Sequence, residues 1–289
     1  LLCAKGYSLA ETLASRDRLT KPLIRNAGGD LVEATWDEAL DLVADRWAEI
    51  IERDGPNAVA MYGSGQWTIT DAYAAAKLMK GGIRTNNLEV NARLCMAAAV
   101  VGYLGAYGAD EPPGSYDDLD SVDDVFLWGS NIAEAHPVIY QRLVMRRNAG
   151  ADLRLFHFTT FGQMTNEGAN ETHLIKPHAD LYLCNAIAYV LVNEGLVDNT
   201  FITNHLKFMT TVDGTDTPLD LAGYTAFLDD YAPGAVADAV GIASADIERL
   251  ARIFGDRARN VVSLWTMGVN HSSRGVWVNN LINNLHLIT

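Results

Sequence analysis

Asp124-Val125-Phe126-Leu127-Trp128 sets four large apolar side chains in unbroken succession and runs straight into Gly129-Ser130-Asn131. A run so short, apolar without alternation and ended by a small polar loop reads as a strand buried on both faces. A helical pattern follows it to about Asn148. The same order recurs along the chain. Ala58–Tyr62 leads into Gly63-Ser64-Gly65-Gln66 and a helix through about Lys80, and Leu153–Phe158 leads into Thr159-Thr160. Thr172–Ile175 precedes a helix from Asp180 to Asn193, and two more helices are expected next, the one at Ala245–Phe254 capped by Ser244. Val261–Trp265 ends in Thr266-Met267-Gly268, and a last helix starts near Arg274. Near the start, Thr35 with Glu38 three residues on forms a capping box for a helix whose Leu40, Val43, Trp47 and Ile50 share a face. Strands alternating with helices predict an α/β fold with mostly parallel sheets, in which ligands lie at the carboxyl ends of the strands.

Composition bounds the function. The 289 residues, 49% apolar, suffice for about two domains, and no apolar run approaches the roughly 18 residues of a membrane span. The net charge of −14 argues against nucleic acid and anionic membranes as partners. Acidic residues are 24 Asp and 12 Glu, basic ones 16 Arg and only 6 Lys, a balance suited to a salt-loaded environment. The opening Leu1-Leu2-Cys3-Ala4-Lys5-Gly6 lacks an initiator Met, and the chain reads as a piece of a longer protein.

The chemistry has few candidates. Cys3, Cys95 and Cys184 make neither a disulfide framework nor a CxxC pair. Cys95 sits in Asn91-Ala92-Arg93-Leu94-Cys95-Met96, ahead of an Ala-rich helix, where a thiol near Arg93 would ionise readily and serve as nucleophile or metal ligand. A buried structural cysteine is the competing reading. Cys184 in an apolar helix, His157 within a strand, and Trp128 and Trp265 read as core; Asp117-Asp118 and Asp123-Asp124 read as solvated faces. His136, before Pro137, could cap a helix or face a ligand. Four strand ends carry small polar loops, Gly63–Gln66, Gly129–Asn131, Thr159–Gln163 and Met267–His271, suited to a phosphate-bearing cofactor. None contains a full GxGxxG or a GxxxxGK[ST] signature.

Several longer strings resemble a known family. They are Leu2–Tyr7, Gly63–Thr68, Asn91–Met96, Asp110-Glu111-Pro112, Trp128–Glu134 with His136-Pro137, Trp265–Gly268 and Arg274-Gly275-Val276-Trp277. In this order they resemble the catalytic subunits of nitrate reductases in the molybdopterin oxidoreductase (DMSO reductase) superfamily. The resemblance implies molybdenum held by two molybdopterin guanine dinucleotides, with Cys95 as its protein thiolate, and soft sulfur suits such a metal. It implies that Cys3 is one ligand of a [4Fe–4S] cluster whose other cysteines lie outside this chain, with Lys5 between cluster and pterin. The pterin nucleotides would lie on Lys5, Gln66, Asn91, Trp128, Gly129, Ser130, Asn131, Ile132, Ala133, Glu134, Ala135, Thr159, Thr160, Phe161, Gly162, Gln163, His178, Ala179, Asp180, Met267 and His271. Three positions depart mildly: His271 stands where the family usually has Gln, Ile132 where it often has Met, and Thr159-Thr160-Phe161 replaces a Ser-Thr-aromatic string.

The implied domains are 1–35 as the trailing part of the [4Fe–4S] domain, 36–95 plus 260–289 as a first pterin-binding domain, and 96–259 as a second, Rossmann-like one. A C-terminal domain would be absent. The implied activity is reduction of nitrate to nitrite, with Cys95, Met96 and Arg274 catalytic and an electron-donor redox protein (a c-type cytochrome subunit, ferredoxin or flavoprotein) as partner. Formate dehydrogenases of the same superfamily typically place His after the metal-binding residue, where this chain has Met96. A non-catalytic scaffold subunit would be expected to have lost Cys95, Gln66 and Asn91, all present here. Trp67-Thr68 and Arg274–Trp277 resemble periplasmic enzymes, whereas Arg93–Cys95 and Tyr140-Gln141-Arg142 resemble assimilatory ones. A periplasmic location is expected, with the cytoplasm as the alternative.

Overall fold

The computed structural model describes residues 2–289, which divide into two compact units, one through Leu94 and one from Cys95 to Thr289. The first holds an antiparallel pair, β1 (Leu23–Arg25) and β2 (Leu31–Glu33), and a parallel pair, β3 (Met61–Gly63) and β4 (Leu88–Val90). The expected capping box is complete: the Glu38 amide donates to Thr35 Oγ1 at 3.2 Å, and the Thr35 amide donates to Glu38 Oε2 at 2.7 Å. The helix it starts runs Trp36–Asp54, but Leu40 and Val43 on its apolar face are exposed. The strand after it begins later than the Ala58–Tyr62 run, because Pro56–Ala58 forms a 3-10 turn beyond Gly55. The next helix is α only over Ile69–Ala76, then widens to a π-helical stretch, Lys77–Ile83, that stops at left-handed Arg84.

The second unit is built on a parallel sheet of β5 (Asp124–Trp128), β6 (Arg154–Thr159), β7 (Glu171–Leu174) and β10 (Val261–Trp265), in the order β10-β5-β6-β7. All of β5 is buried. Alternate side chains go to opposite faces. Phe126 and Trp128, with Phe156 and Phe158 of β6, pack beneath the helices Asp180–Asn193, Ser244–Phe254 and Gly275–Ile288. Ring centroids lie 5.0 Å apart for Phe126–Phe156 and 4.6 Å for Trp128–Phe158. Val125, Leu127 and Leu155 point the other way, onto Ile132 and onto Leu143 of the helix Pro137–Asn148. Helices on both faces explain why β5 carries no polar alternation. No helix among the described residues is long and apolar enough to cross a membrane.

Two expectations change. Segment 260–289, grouped in sequence with 36–95, joins this sheet instead: β10 pairs with β5 in register from Val261↔Asp124 to Trp265↔Trp128. Only pairing decides which sheet an apolar strand enters, and β5, apolar after Asp124, offers it a buried edge. Between the helices Asp180–Asn193 and Ser244–Phe254 lie three further α-helices, Asn199–His205, Leu221–Leu228 and Pro233–Val240, a 3-10 turn at Asp229–Tyr231, and a hairpin of β8 (Phe208–Val212) and β9 (Thr215–Leu219). The Asp213-Gly214 turn of that hairpin has positive φ at both residues, as a two-residue hairpin loop requires, and was the overlooked signal. Ser244 is itself the first helical residue and makes no side-chain cap.

At the amino end of the sheet, the fully buried Asp124 carboxylate takes Arg154 Nε at 2.6 Å and Arg259 Nε at 2.7 Å, and Arg259 reaches on to Asp152 at 2.7 Å. Asp123-Asp124 is therefore not a solvated face: Asp124 ties three strand starts together. Removing this charge would leave two guanidinium groups facing each other, so Asp124→Asn should cost about 3 kcal/mol, measured by denaturant unfolding. His286 Nε2 lies 2.8 Å from Ser263 Oγ with its ring against Phe254, and desolvation pushes its pKa down to about 4. Its unfolded counterpart takes up a proton first as pH falls. Stability should therefore be full above about pH 6.5 and decline by at most about 3 kcal/mol toward pH 4, where the folded form protonates too. His286→Gln should flatten that decline in pH-dependent melts.

Candidate functional site

In the first unit, Cys3 precedes the short helix Ala4–Tyr7 and stands at its N-cap. The Gly6 amide, and to a lesser extent the Lys5 amide and charge, hold its thiol below the ordinary range against the opposing effect of burial. Lys5 follows it on the same turn. Asn91, beyond β4, accepts the Gly65 amide through Oδ1 at 2.7 Å, so the loop bearing Gln66 and the segment after β4 are joined. A Cβ at Gly63 would meet the Trp67 ring, which would have to move aside.

In the second unit the expected residues gather at the carboxyl end of the sheet. The loops after β5 and β10 meet backbone to backbone. Gly129 adopts φ 51°, its carbonyl accepts the Gly268 amide at 3.2 Å and Thr266 Oγ1 at 3.2 Å, and a Cβ on Gly268 would strike it. The loops after β5 and β6 are tied by Thr165. Its hydroxyl donates to Asn131 Oδ1 at 2.8 Å and accepts the Ala133 amide at 3.1 Å. Gln163 Nε2 donates to Thr159 Oγ1 at 3.0 Å. Between these loops opens a cleft of about 540 Å³ lined by Asn131, Glu134, Phe161, Gly162, Gln163, Met164, Asn166 and Glu167.

Five of those eight were expected from sequence; Met164, Asn166 and Glu167 were missed. They lie on the helical turn Met164–Gly168, which continues directly from the Phe161–Gln163 loop, and that continuity was the available signal. Among the described residues, Ser130 Oγ and Gln163 Oε1 are buried without a protein partner. Trp128 and Ile132 turn their side chains into the core, so only their backbone can face a ligand. Trp128 Nε1 donates to Ser263 Oγ at 3.0 Å. Ala135, Thr160 and His178 are exposed, His178 in a left-handed conformation (φ 64°). Ala179 is buried, and Asp180 opens the helix Asp180–Asn193 with its carboxyl pushed up by desolvation.

Cys95 ends the turn Ala92–Cys95, one residue before Met96, the N-cap of the helix Ala97–Tyr107. Its Sγ lies 3.4 Å from Met267 Sδ at the end of β10, so the sheet edge and the cysteine coincide. His271 and Arg274 lie exposed just beyond. Arg274 is the N-cap of the helix Gly275–Ile288, its amide donates to Ser272 Oγ at 3.1 Å, and its guanidinium has no carboxylate partner among the described residues. His136 is the N-cap of the helix Pro137–Asn148. Cys184 is fully buried, and desolvation drives its thiol well up, as a core cysteine requires. His157 is also buried, its Nδ1 3.0 Å from Asn166 Oδ1. Among the described residues no three His, Cys, Asp or Glu side chains converge on a metal position.

Comparisons with known proteins fall on this architecture. A family model described as molybdopterin oxidoreductase matches residues 18–289. A nitrate reductase of Symbiobacterium thermophilum is 45% identical over the whole chain, which spans 38% of that protein's length. The structure of acetylene hydratase from Pelobacter acetylenicus superposes with a TM-score of 0.76 over 99% of this chain and 37% of that one; at 18% identity this likeness concerns the fold alone. By the family match over 18–289 and the identity to the Symbiobacterium thermophilum protein, the chain belongs to the molybdopterin oxidoreductase family.

Proposed function

We propose that this chain is the cofactor-holding part of a larger nitrate reductase that converts nitrate to nitrite. The observation that carries the reading is the coincidence of Cys95 with the carboxyl end of the parallel sheet, through Met267. A thiolate beside the loops at the carboxyl end of the sheet is a soft ligand suited to a molybdenum–pterin cofactor. The name of the relative from Symbiobacterium thermophilum supports nitrate as substrate.

The cleft residues fit one arm of that cofactor. Glu134 and Glu167 would repel a phosphate but accept hydrogen bonds from a base, and the unpartnered Ser130 Oγ and Gln163 Oε1 offer further contacts. A guanine presents the matching donors, so the bis(molybdopterin guanine dinucleotide) form is proposed. When bound, the cofactor supplies a two-electron exchange coupled to oxygen-atom transfer. The overall balance is nitrate plus two electrons and two protons to nitrite and water. This chain's residues do the rest. Cys95 would anchor the metal, Met96 would lie beside it as the next residue, and Arg274 would offer a planar fork to a planar oxyanion in a protein of net charge −14. Cys3, as a ligand of a [4Fe–4S] cluster, and Lys5 beside it complete the proposal, with a redox protein as donor and a periplasmic location.

A formate dehydrogenase is less well supported, because Met96 has no proton-accepting group. A non-catalytic scaffold is less well supported because Cys95, Gln66 and Asn91 are all kept.

In the full-length protein, Cys95→Ser should abolish most nitrate turnover and lower the molybdenum content; metal analysis with a nitrate assay decides, and wild-type turnover would overturn the assignment. Arg274→Lys should raise the apparent KM for nitrate, and Arg274→Ala should raise it further, since a lysine keeps the charge without the fork. Steady-state kinetics unchanged in Arg274→Ala would refute the anion role, and efficient formate oxidation by the parent protein would refute nitrate.

A further inference from the structure

A chain of polar side chains crosses the second unit and ends on the residue after Cys95. It begins at Trp265 of β10, whose indole Nε1–H can only donate, and does so to Asn279 Oδ1 at 2.7 Å. That contact fixes which way the buried Asn279 amide faces. Its Nδ2 must therefore be the group that donates to Asn270 Oδ1 at 3.0 Å and to the Gly275 carbonyl at 2.7 Å. Asn270, also buried, is oriented in turn, and its Nδ2 faces Met96 Sδ at 3.6 Å. On the neighbouring residue, Met267 Sδ meets Cys95 Sγ at 3.4 Å. Met267 and Asn270 are the first and last residues of one turn, so that turn grips two consecutive residues. The packing leaves room for this arrangement and little else. A Cβ on Gly102 would lie 2.6 Å from Asn279 Cβ, and one on Gly275 would lie 2.8 Å from the Asn270 carbonyl oxygen.

Three asparagine or methionine links with dictated orientation are more than packing requires. A hydrophobic Asn279 would fill the same space between helices without desolvating a carboxamide. We propose that Asn279 and Asn270 are positioning residues for the reaction centre, acting through Met96 while Met267 holds Cys95, so that the thiolate meets its metal in one orientation. This rests on the reading of Cys95 as the molybdenum ligand.

The test uses the full-length protein carrying Asn270→Leu, Met267→Leu or Asn279→Leu, substitutions that keep bulk but remove the polar or sulfur contacts of that residue. Produced without molybdenum, each folded variant should alkylate at Cys95 with iodoacetamide about threefold faster than the parent, because the thiol has lost its fixed neighbour. As holoenzymes they should shift the Mo(V) electron paramagnetic resonance signal and lower kcat about tenfold, with KM for nitrate changed by less than about twofold. Should Asn279→Leu fail to fold, the other two variants decide. Unchanged alkylation rates and unchanged Mo(V) spectra in folded variants would overturn the proposal, even if turnover fell. If instead Cys95→Ser retains molybdenum and turnover, the reading of the site fails, while the alkylation rate still reports whether the chain of contacts holds Cys95.

Discussion

The contact between Gly129 and Gly268 sets the geometry of the whole carboxyl edge of the sheet. Two strand ends leave adjacent strands, β5 and β10, and their loops cross at a distance that excludes a Cβ on Gly268 and crowds one on Gly129, whose φ of 51° also favours glycine. Parallel pairing delivers both strand ends to the same edge, and the backbone contact then prevents the two loops from spreading apart. From that crossing, one loop continues through Ser130 and Asn131 into the cleft, and the other continues through Met267 to the cysteine. The cleft and the thiol therefore belong to one edge for a reason that lies in two hydrogen atoms.

The two ends of the sheet carry opposite chemistry. At the amino end, Asp124 is closed off by Arg154 and Arg259, and every charge there has a partner. At the carboxyl end, Ser130 Oγ and Gln163 Oε1 are buried without a partner among the described residues. Buried polar groups without partners are destabilising in isolation. The neutralised end stabilises the strands, while these two atoms leave polar capacity unmet at the other end.

Sulfur and carboxamide groups share the remaining work around Cys95. Neither carries a formal charge beside the thiol, so its surroundings are shaped by soft contact and by oriented dipoles. The Trp265–Asn279–Asn270 series lies inside helix packing that the surrounding aliphatic side chains could have closed by themselves. Its polar character makes sense as a constraint on orientation more than as a contribution to stability.

The fold class and most strand-end loops were legible in the sequence, because period and length report burial directly: β5 is apolar at every position after Asp124, and both faces are covered. The Thr35 capping box was legible for the same local reason, and so was the core role of Cys184 within an apolar helix. The β8–β9 hairpin carried its signal in Asp213-Gly214, a two-residue cue easily passed over. What the tertiary structure alone decided were relations between distant residues. The placement of β10 beside β5, the neutralisation of Asp124 by Arg259, and the meeting of Cys95 with Met267, 172 positions apart, leave no periodic trace in the chain. Local pattern encodes which face of an element is buried, whereas the identity of the partner across that face depends on how the loops close, and the amino-acid order does not display this.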